Sequence, residues 1–235
     1  MAADSTDSTS FDLPTYLARV GLDDVSPSLE PTVATLASVM DAHLRSIPFE
    51  NVDVVLKEVI SMEANDVYEK LVQRKRGGYC FEHNMLLDSA LQAIGFKCSP
   101  LLCRVRWGKA PEQQSPFTHY CLKVEVPGAG LWLADVGFAG TNSVAPVELG
   151  RDGVSQALTD GVFKTTKQGA YTVLSTQDRK DGEVWRDLYK WTTDVDCDLP
   201  DLVAANWFSC TFPGARFPSQ FFASILSGDE KRHIL

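Results

Sequence analysis

The stretch Arg76-Gly77-Gly78-Tyr79-Cys80-Phe81-Glu82 sets a thiol just behind a double glycine, where a new apolar repeat begins. Phe81, Met85, Leu87, Leu91 and Ile94 follow, with Gly95 as the stop, so Cys80 falls in the first turn of a predicted helix. Unpaired N–H groups and the helix dipole favour a thiolate there. The two glycines end the preceding helix and admit backbone shapes that a side chain would forbid. Cys80 is thus a candidate nucleophile for covalent catalysis, a chemistry that also needs a base and a group to orient that base.

Four histidines are available: His43, His83, His119 and His233. His43 lies mid-helix beside an apolar stripe and reads as a surface or boundary residue, and His233 sits in a charged run near the chain end. His83 follows Cys80 by one helical turn, so the two side chains could be neighbours. A base there would lie behind the nucleophile, with few residues to orient its far nitrogen, and the simpler reading is a helix-surface histidine.

His119 belongs to an alternating stretch in which Tyr120, Leu122, Val124 and Val126 face one way and His119, Cys121, Lys123 and Glu125 the other. Leu131-Trp132-Leu133-Ala134-Asp135-Val136 follows after Pro127-Gly128-Ala129-Gly130. A hairpin through a three-residue loop at 127–129 sets Val124 opposite Trp132, Leu122 opposite Ala134 and Tyr120 opposite Val136. In that register Cys121 opposes Asp135, and His119 lies diagonal to Asp135 on the same face. A one-residue slip would separate them and scramble the apolar face. A carboxylate inside an apolar strand needs hydrogen bonds or a cation, and an imidazolium supplies both. The alternative is an ordinary strand-end aspartate capping a turn at Val136-Gly137.

The elements that must position these groups can be read from the same patterns. Residues 1–10 are small, polar and acidic and form a predicted disordered tail. Pro14 and Gly21 bracket a short helix from Leu13 to Val20. Val33, Leu36, Met40 and Leu44 mark a second helix that Pro48 ends, and Asn65 to Lys75 reads as a third. Residues 97–106, 119–126, 131–136, 162–167, 170–176 and 183–191 are short and β-rich, with turn residues between them, which predicts an antiparallel sheet or small barrel. From Asp201 the chain turns briefly helical again.

The resulting organisation is a tail at 1–10, a helical domain at 11–96 that bears the nucleophile, a β-barrel domain at 97–200 that bears His119 and Asp135, and a third region at 201–235. The fold class is α+β. At 235 residues the chain can bury a substantial core, and 44% hydrophobic with 23% charged residues is ordinary for a globular protein. A formal charge of −9 argues against a nucleic-acid binder or one for acidic membranes. Cys80, Cys98, Cys103, Cys121, Cys197 and Cys210 show no close pairing and no zinc-like spacing, and no membrane span or signal pattern is evident. Free thiols, a cytoplasmic location, no metal, no membrane partner and a monomer or weak homo-oligomer are the expectations.

Taken together, Ile47-Pro48-Phe49-Glu50-Asn51, Arg76 through Asn84, Thr118-His119 and Leu133-Ala134-Asp135-Val136-Gly137-Phe138 resemble the arylamine N-acetyltransferases in order and approximate spacing. The likeness runs from about Tyr16 to at least Pro146, and Asn206 and Thr211-Phe212-Pro213 through Phe217 look like the entry to that family's third region. The resemblance implies a helical bundle, a β-barrel and an α/β third region, truncated here, within the cysteine-protease-like (transglutaminase-like) superfamily. It implies a Cys80-His119-Asp135 triad, a buried Glu50–Arg76 pair supporting the catalytic loop, and an acceptor pocket lined by Phe49 and Phe138. The implied reaction moves an acetyl group from acetyl-CoA, the co-substrate, to an arylamine or hydrazine through an acetyl-cysteine. Arg104, Arg106 and Lys109 are the nearest cations in sequence for the anionic CoA, or else a solvated strand end. A hydrolase or transglutaminase-like enzyme with the same triad, or a non-catalytic binding protein, are the alternatives.

Overall fold

The structure is a computed structural model that describes residues 11–24, 29–139, 143–178, 181–192 and 194–228, with backbone only for 230–234. The predicted tail at 1–10 lies outside the described residues. Helix α1 (Leu13–Val20) starts where Asp12 accepts a hydrogen bond from the Thr15 N–H, and α2 (Val33–Ser46) starts under the Thr32 hydroxyl. Both occupy the expected spans.

The third helix differs from expectation. After strand β1 (Phe49–Glu50) and a short helix α3 (Val52–Val55), α4 covers Ala64–Tyr68 and widens into a π turn at Glu69–Gln73. It therefore ends before the double glycine, and Lys75 takes the left-handed backbone conformation at φ 53°. The helix that Cys80 heads, α5, spans Cys80–Ile94 and stops at Gly95, as its apolar repeat predicts.

Eight strands form one antiparallel sheet: β2 (Lys97–Val105), β3 (Phe117–Val126), β4 (Gly130–Ala134), β5 (Val147–Glu148), β6 (Gln156–Leu158), β7 (Gly161–Gln168), β8 (Tyr171–Gln177) and β9 (Trp185–Trp191). The spatial order β5-β4-β3-β2-β9-β8-β7-β6 leaves β5 and β6 as the two edges. One side chain ties them. Gln156 accepts from the Glu148 N–H and donates to the Glu148 carbonyl, both at 2.9 Å, so its amide imitates a strand partner and nearly closes the barrel. Strands β5 and β6 are too short to leave a periodic signature and were not anticipated.

The β3–β4 hairpin adopts the expected register, with Leu122 opposite Ala134 and Val124 opposite Trp132, and Gly128 in the left-handed position. Its two faces enter two cores. Tyr120, Leu122 and Val124 pack with Phe81, Leu87 and Leu91 of α5, whereas Cys121 and Leu133 join Leu101, Phe163, Leu188 and Trp191 inside the barrel. Each fully buried large apolar side chain contributes roughly 1.5–3 kcal/mol, so a slipped register would forfeit burial on both faces.

Beyond the barrel, α6 (Leu199–Thr211) packs on β3, and β10 (Ala223–Ser227) and β11 (Glu230–Ile234) return to the helical part of the chain. There β10 pairs with β1, setting Phe49 opposite Ser224 in a three-stranded sheet. The brief helix was expected and the hairpin was not. Among the described residues no helix is long and apolar enough to cross a membrane.

Candidate active site

The loop before Cys80 needs its glycines for close approach and not for backbone conformation. Neither Gly77 nor Gly78 has positive φ, which corrects the reading from sequence. A Cβ on Gly77 would collide with the Pro48 carbonyl and come 2.6 Å from Glu50 Cγ, and one on Gly78 would come 2.7 Å from Glu82 Oε2. The loop is thus pressed between β1 and the first turn of α5. Glu82 accepts from the Tyr79 N–H at 3.0 Å, closing that turn, and takes Lys70 Nζ at 2.7 Å.

Below the loop, Lys70 also reaches Asp53 at 2.7 Å, and Arg76 reaches Asp53 at 2.7 Å and Glu50 at 3.3 Å. The expected Glu50–Arg76 pair therefore exists as one arm of a five-residue charge network. It is not a buried pair, because the Arg76 side chain is 41% exposed and its shorter contact is to Asp53.

Cys80 is buried at the head of α5, with Sγ 3.8 Å from the Thr118 carbonyl. Burial pushes its thiol well above the ordinary value and the Asp135 charge adds to this, while the N–H groups of Phe81 and Cys80 pull the other way. The N–H groups at the helix start favour the thiolate, as its position suggests, but burial and the Asp135 charge outweigh them. A negative sulfur here requires a proton acceptor beside it that becomes positive as the proton moves.

His119, on β3, is oriented for that role. Its Nε2 lies 2.8 Å from Asp135 Oδ2, both side chains being buried, and among the described residues Nδ1 has no hydrogen-bond partner. The ring packs against those of Tyr189, 4.8 Å away between centroids, and Phe138, 5.1 Å away, which also pack on each other. Burial pushes Asp135 up, but the His119 charge, together with hydrogen bonds from His119, Asn84 and the Gly137 N–H, holds it below the usual carboxylate value. An ionised Asp135 keeps the proton on Nε2, which leaves Nδ1 as the basic nitrogen.

Asn84 was missed from sequence. One helical turn after Cys80 and fully buried, it donates to the Tyr120 carbonyl at 2.6 Å and to Asp135 Oδ1 at 3.0 Å, and accepts from the Val136 N–H at 3.0 Å. Its one visible signal was an amide on the buried face of an apolar helix. Gly137 matters equally: a Cβ there would lie 2.7 Å from both Cys80 Cα and Asn84 Nδ2. The end of β4 and the start of α5 meet through these two residues.

Two histidine readings are overturned. His43 and His83 are fully buried, not surface residues. Tyr16 Oη lies 3.0 Å from His43 Nδ1, His43 Nε2 lies 2.8 Å from His83 Nδ1, and His83 Nε2 lies 3.2 Å from the Pro48 carbonyl. A carbonyl only accepts, so Nε2–H of His83 donates to it, Nε2–H of His43 donates to His83, and the Tyr16 hydroxyl donates to His43. Burial holds His83 down to about 4 and His43 well below its ordinary value, so both rings are neutral. With both nitrogens engaged, His83 has none for Cys80. Side chains of β11, including His233, lie outside the described residues.

Cys80 and His119 open into a cavity of about 650 Å³ whose walls include Phe49, Phe138, Phe217 and Phe222. Lys109 and Arg216 stand at its border, whereas Arg106 is buried and spends its guanidinium on the carbonyls of Ala110, Pro111 and Gln113. Of the three cations expected near the cleft, Arg106 is thus a strap for the 110–116 loop. All six cysteines are free, and among the described residues no three His, Cys, Asp or Glu side chains gather to hold a metal ion.

A family model described as N-acetyltransferase matches residues 32–235. The chain is 38% identical over 227 residues to an arylamine N-acetyltransferase of Mycolicibacterium smegmatis, covering 95% of this chain and 80% of the relative. A Salmonella typhimurium protein described as arylamine N-acetyltransferase / N-hydroxyarylamine O-acetyltransferase is 35% identical, covering 89% and 70% respectively. Among solved structures, the Mycobacterium marinum arylamine N-acetyltransferase in complex with CoA superposes with a TM-score of 0.87 at 32% identity, over 95% of this chain and 80% of that one. With its thiol at a helix head, its imidazole between carboxylate and cavity, and these likenesses over nearly its whole length, the chain belongs to the arylamine N-acetyltransferase family.

Proposed function

We propose that the protein transfers an acetyl group from acetyl-CoA to the nitrogen of an arylamine or hydrazine, in two steps through an acetyl thioester on Cys80. The observation that carries this is the orientation of His119, whose Nε2 is held by Asp135 at 2.8 Å while Nδ1 is left for the cavity that Cys80 shares.

In the first step the Cys80 proton passes to His119 Nδ1 as Sγ attacks the thioester carbonyl. The tetrahedral centre collapses, the bond to the CoA sulfur breaks, and that sulfur leaves with the proton from His119. One thioester replaces another, so the step is nearly balanced in energy. In the second step the amine nitrogen attacks the acetyl-cysteine, His119 takes its proton, and the Cys80 sulfur leaves and is reprotonated. Asp135 fixes the imidazole tautomer and stabilises the charged ring in both steps. The Cys80 N–H at the helix start is the donor assigned to the oxyanion.

Phe49 and Phe138 are assigned to the acceptor's ring, and Glu50 and Arg76 to supporting the catalytic loop. The aromatic walls of the cavity support a flat apolar acceptor. Intact-mass measurement after incubation with acetyl-CoA tests the reading. One acetyl adduct is expected, lost in Cys80→Ala, with one equivalent of CoA released as it forms and further CoA accumulating only when an arylamine is added. Steady CoA release without amine would instead identify a hydrolase.

A further inference from the structure

Asn51 stands at the head of α3, the position from which an asparagine side chain ordinarily caps its own helix. Here the side chain makes no capping bond among the described residues, and Glu50 Oε2 takes the Val52 N–H at 2.7 Å instead. The amide is directed far along the chain. Its Nδ2 donates to the Phe217 carbonyl at 2.9 Å and to the Gln220 carbonyl at 2.7 Å, and its Oδ1 accepts from the Phe222 N–H at 2.7 Å. These partners lie 166 to 171 residues away. Asn51 is 2% exposed, so the three bonds are shielded from water, and both amide protons are used.

The segment held in this way has no ladder to fix it. Residues 212–222, between α6 and β10, form neither helix nor strand, yet they supply Phe217 and Phe222 to the cavity that Cys80 and His119 share. Phe217 packs against Tyr79 at 5.4 Å, Phe222 at 5.7 Å and Phe49 at 6.2 Å between ring centroids. Dispersion between rings has little directional preference, whereas three hydrogen bonds to one planar amide fix both the place and the direction of a backbone. The amide's own strand is fixed as well. The Glu50 N–H donates to the Gly78 carbonyl at 2.7 Å, and Phe49 pairs with Ser224 of β10. Through Asn51, two aromatic side chains of the cavity wall are therefore referred to the loop that carries Cys80.

We propose that Asn51 is a positioning residue for acceptor recognition: by fixing the backbone at Phe217, Gln220 and Phe222, it sets where those two rings meet the ring of an arylamine. This rests on the acetyl-transfer reading above and extends it to how the acceptor is chosen. The wall matters only to an acceptor with a flat apolar body to lay against it. A nucleophile without a ring reaches the acetyl-cysteine through the same cavity and draws nothing from Phe217 or Phe222. The two kinds of acceptor must then respond differently when the amide is removed.

The test compares p-toluidine with hydrazine itself, which has a nucleophilic nitrogen and no ring, in the wild type, Asn51→Ala and Asn51→Asp. Asn51→Ala should raise the p-toluidine KM by on the order of tenfold, with the hydrazine KM within about twofold of wild type, because ring contacts are lost and the reacting groups stay in place. Asn51→Asp has nearly the same size, keeps the acceptor for the Phe222 N–H and loses donors to the two carbonyls. Its p-toluidine KM should fall between those of wild type and Asn51→Ala, which keeps the test available if Asn51→Ala fails to fold. Acetylation of Cys80 by acetyl-CoA, read as intact mass, separates the two ways of failing. An unchanged p-toluidine KM in acetylated variants overturns the role of Asn51 and leaves acetyl transfer standing. An equal rise in both acceptors' KM also overturns it, since the amide would then support the fold without selecting the acceptor. A wild type never acetylated by acetyl-CoA overturns the transfer reading, and this one with it.

Discussion

Asn84 on α5 donates to Asp135 Oδ1 at 3.0 Å, so the helix that carries the nucleophile also holds the carboxylate that orients the base. Cys80 and Asn84 are one helical turn apart, and the two halves of the site are joined through a single amide that also pins the Tyr120 carbonyl and the Val136 N–H. Relative motion of α5 against the β3–β4 hairpin therefore meets three hydrogen bonds before it can separate Cys80 from His119.

Removing that amide should uncouple the two halves. Asn84→Ala leaves buried partners unpaired and should destabilise the fold by about 1–3 kcal/mol in denaturant titrations. Single-turnover acetylation of Cys80 should slow by on the order of tenfold to a hundredfold, as expected for a modest misplacement of reacting groups. Equal acetylation rates in wild type and variant would show that Asp135 is positioned without Asn84.

Burial and the Asp135 charge push the Cys80 thiol up, so ready ionisation of the sulfur requires a proton acceptor beside it, the role proposed for His119. Alkylation of Cys80 by iodoacetamide should thus be rapid near neutral pH in the wild type. In His119→Gln it should become slow, rising only at pH above the ordinary thiol range. His83→Gln should keep the wild-type alkylation profile, because both His83 nitrogens are engaged elsewhere. A reversed result would assign the base to His83.

The buried histidine pair makes stability depend on pH. Both rings have folded-state values below the ordinary 6.5, His83 down to about 4, so the unfolded chain binds more protons as pH falls below 6.5. Their contribution is fully present above 6.5 and is lost as pH falls toward 4. Each neutral histidine should lower the unfolding free energy by about 1.4 kcal/mol per pH unit in that window. The slope of unfolding free energy against pH should be shallower by about one proton in His83→Gln, a comparison that cancels the carboxylates common to both proteins. Parallel slopes would mean that His83 stays protonated in the folded state.

Gly137 marks the closest approach of the two halves. Gly137→Ala would drive a methyl group into Cys80 Cα and the Asn84 amide, each 2.7 Å from the added carbon. Overpacking of this kind costs about 1–3 kcal/mol, and the relief must come from shifting Asp135 away from α5. Acetylation should fall by about a hundredfold or more while the circular dichroism spectrum is retained. A fully active Gly137→Ala protein would show that this contact is not part of the site's geometry.

Much of the site was legible in the chain because its determinants are local. The helix from Cys80 to Gly95 follows from apolar spacing, and the β3–β4 register follows from alternation, which allows only one pairing that buries both apolar sets. That register places His119 beside Asp135. The double glycine was recognised but misjudged, since sequence suggests an unusual backbone angle whereas the structure shows a collision avoided with Glu50 and Glu82.

Other features depend on partners far along the chain, and periodicity carries no record of them. His43 and His83 pass for surface residues until Tyr16 and the Pro48 carbonyl complete their hydrogen bonds. Gln156 bridges the two edges of the barrel only because β5 and β6 end side by side, and β10 finds β1 across more than half the sequence. Arg104, Arg106 and Lys109 look alike in sequence, yet the fold uses Arg106 to hold a loop and sets Arg104 against Lys190. The sequence by itself determined the Cys80 helix, the strand register and hence which base and acid could serve the thiol, because side-chain periodicity is a local property. Which polar groups are buried, what satisfies them, and how the cleft is walled were decided by tertiary structure, because a hydrogen bond needs its partner in place before it can offset the loss of water.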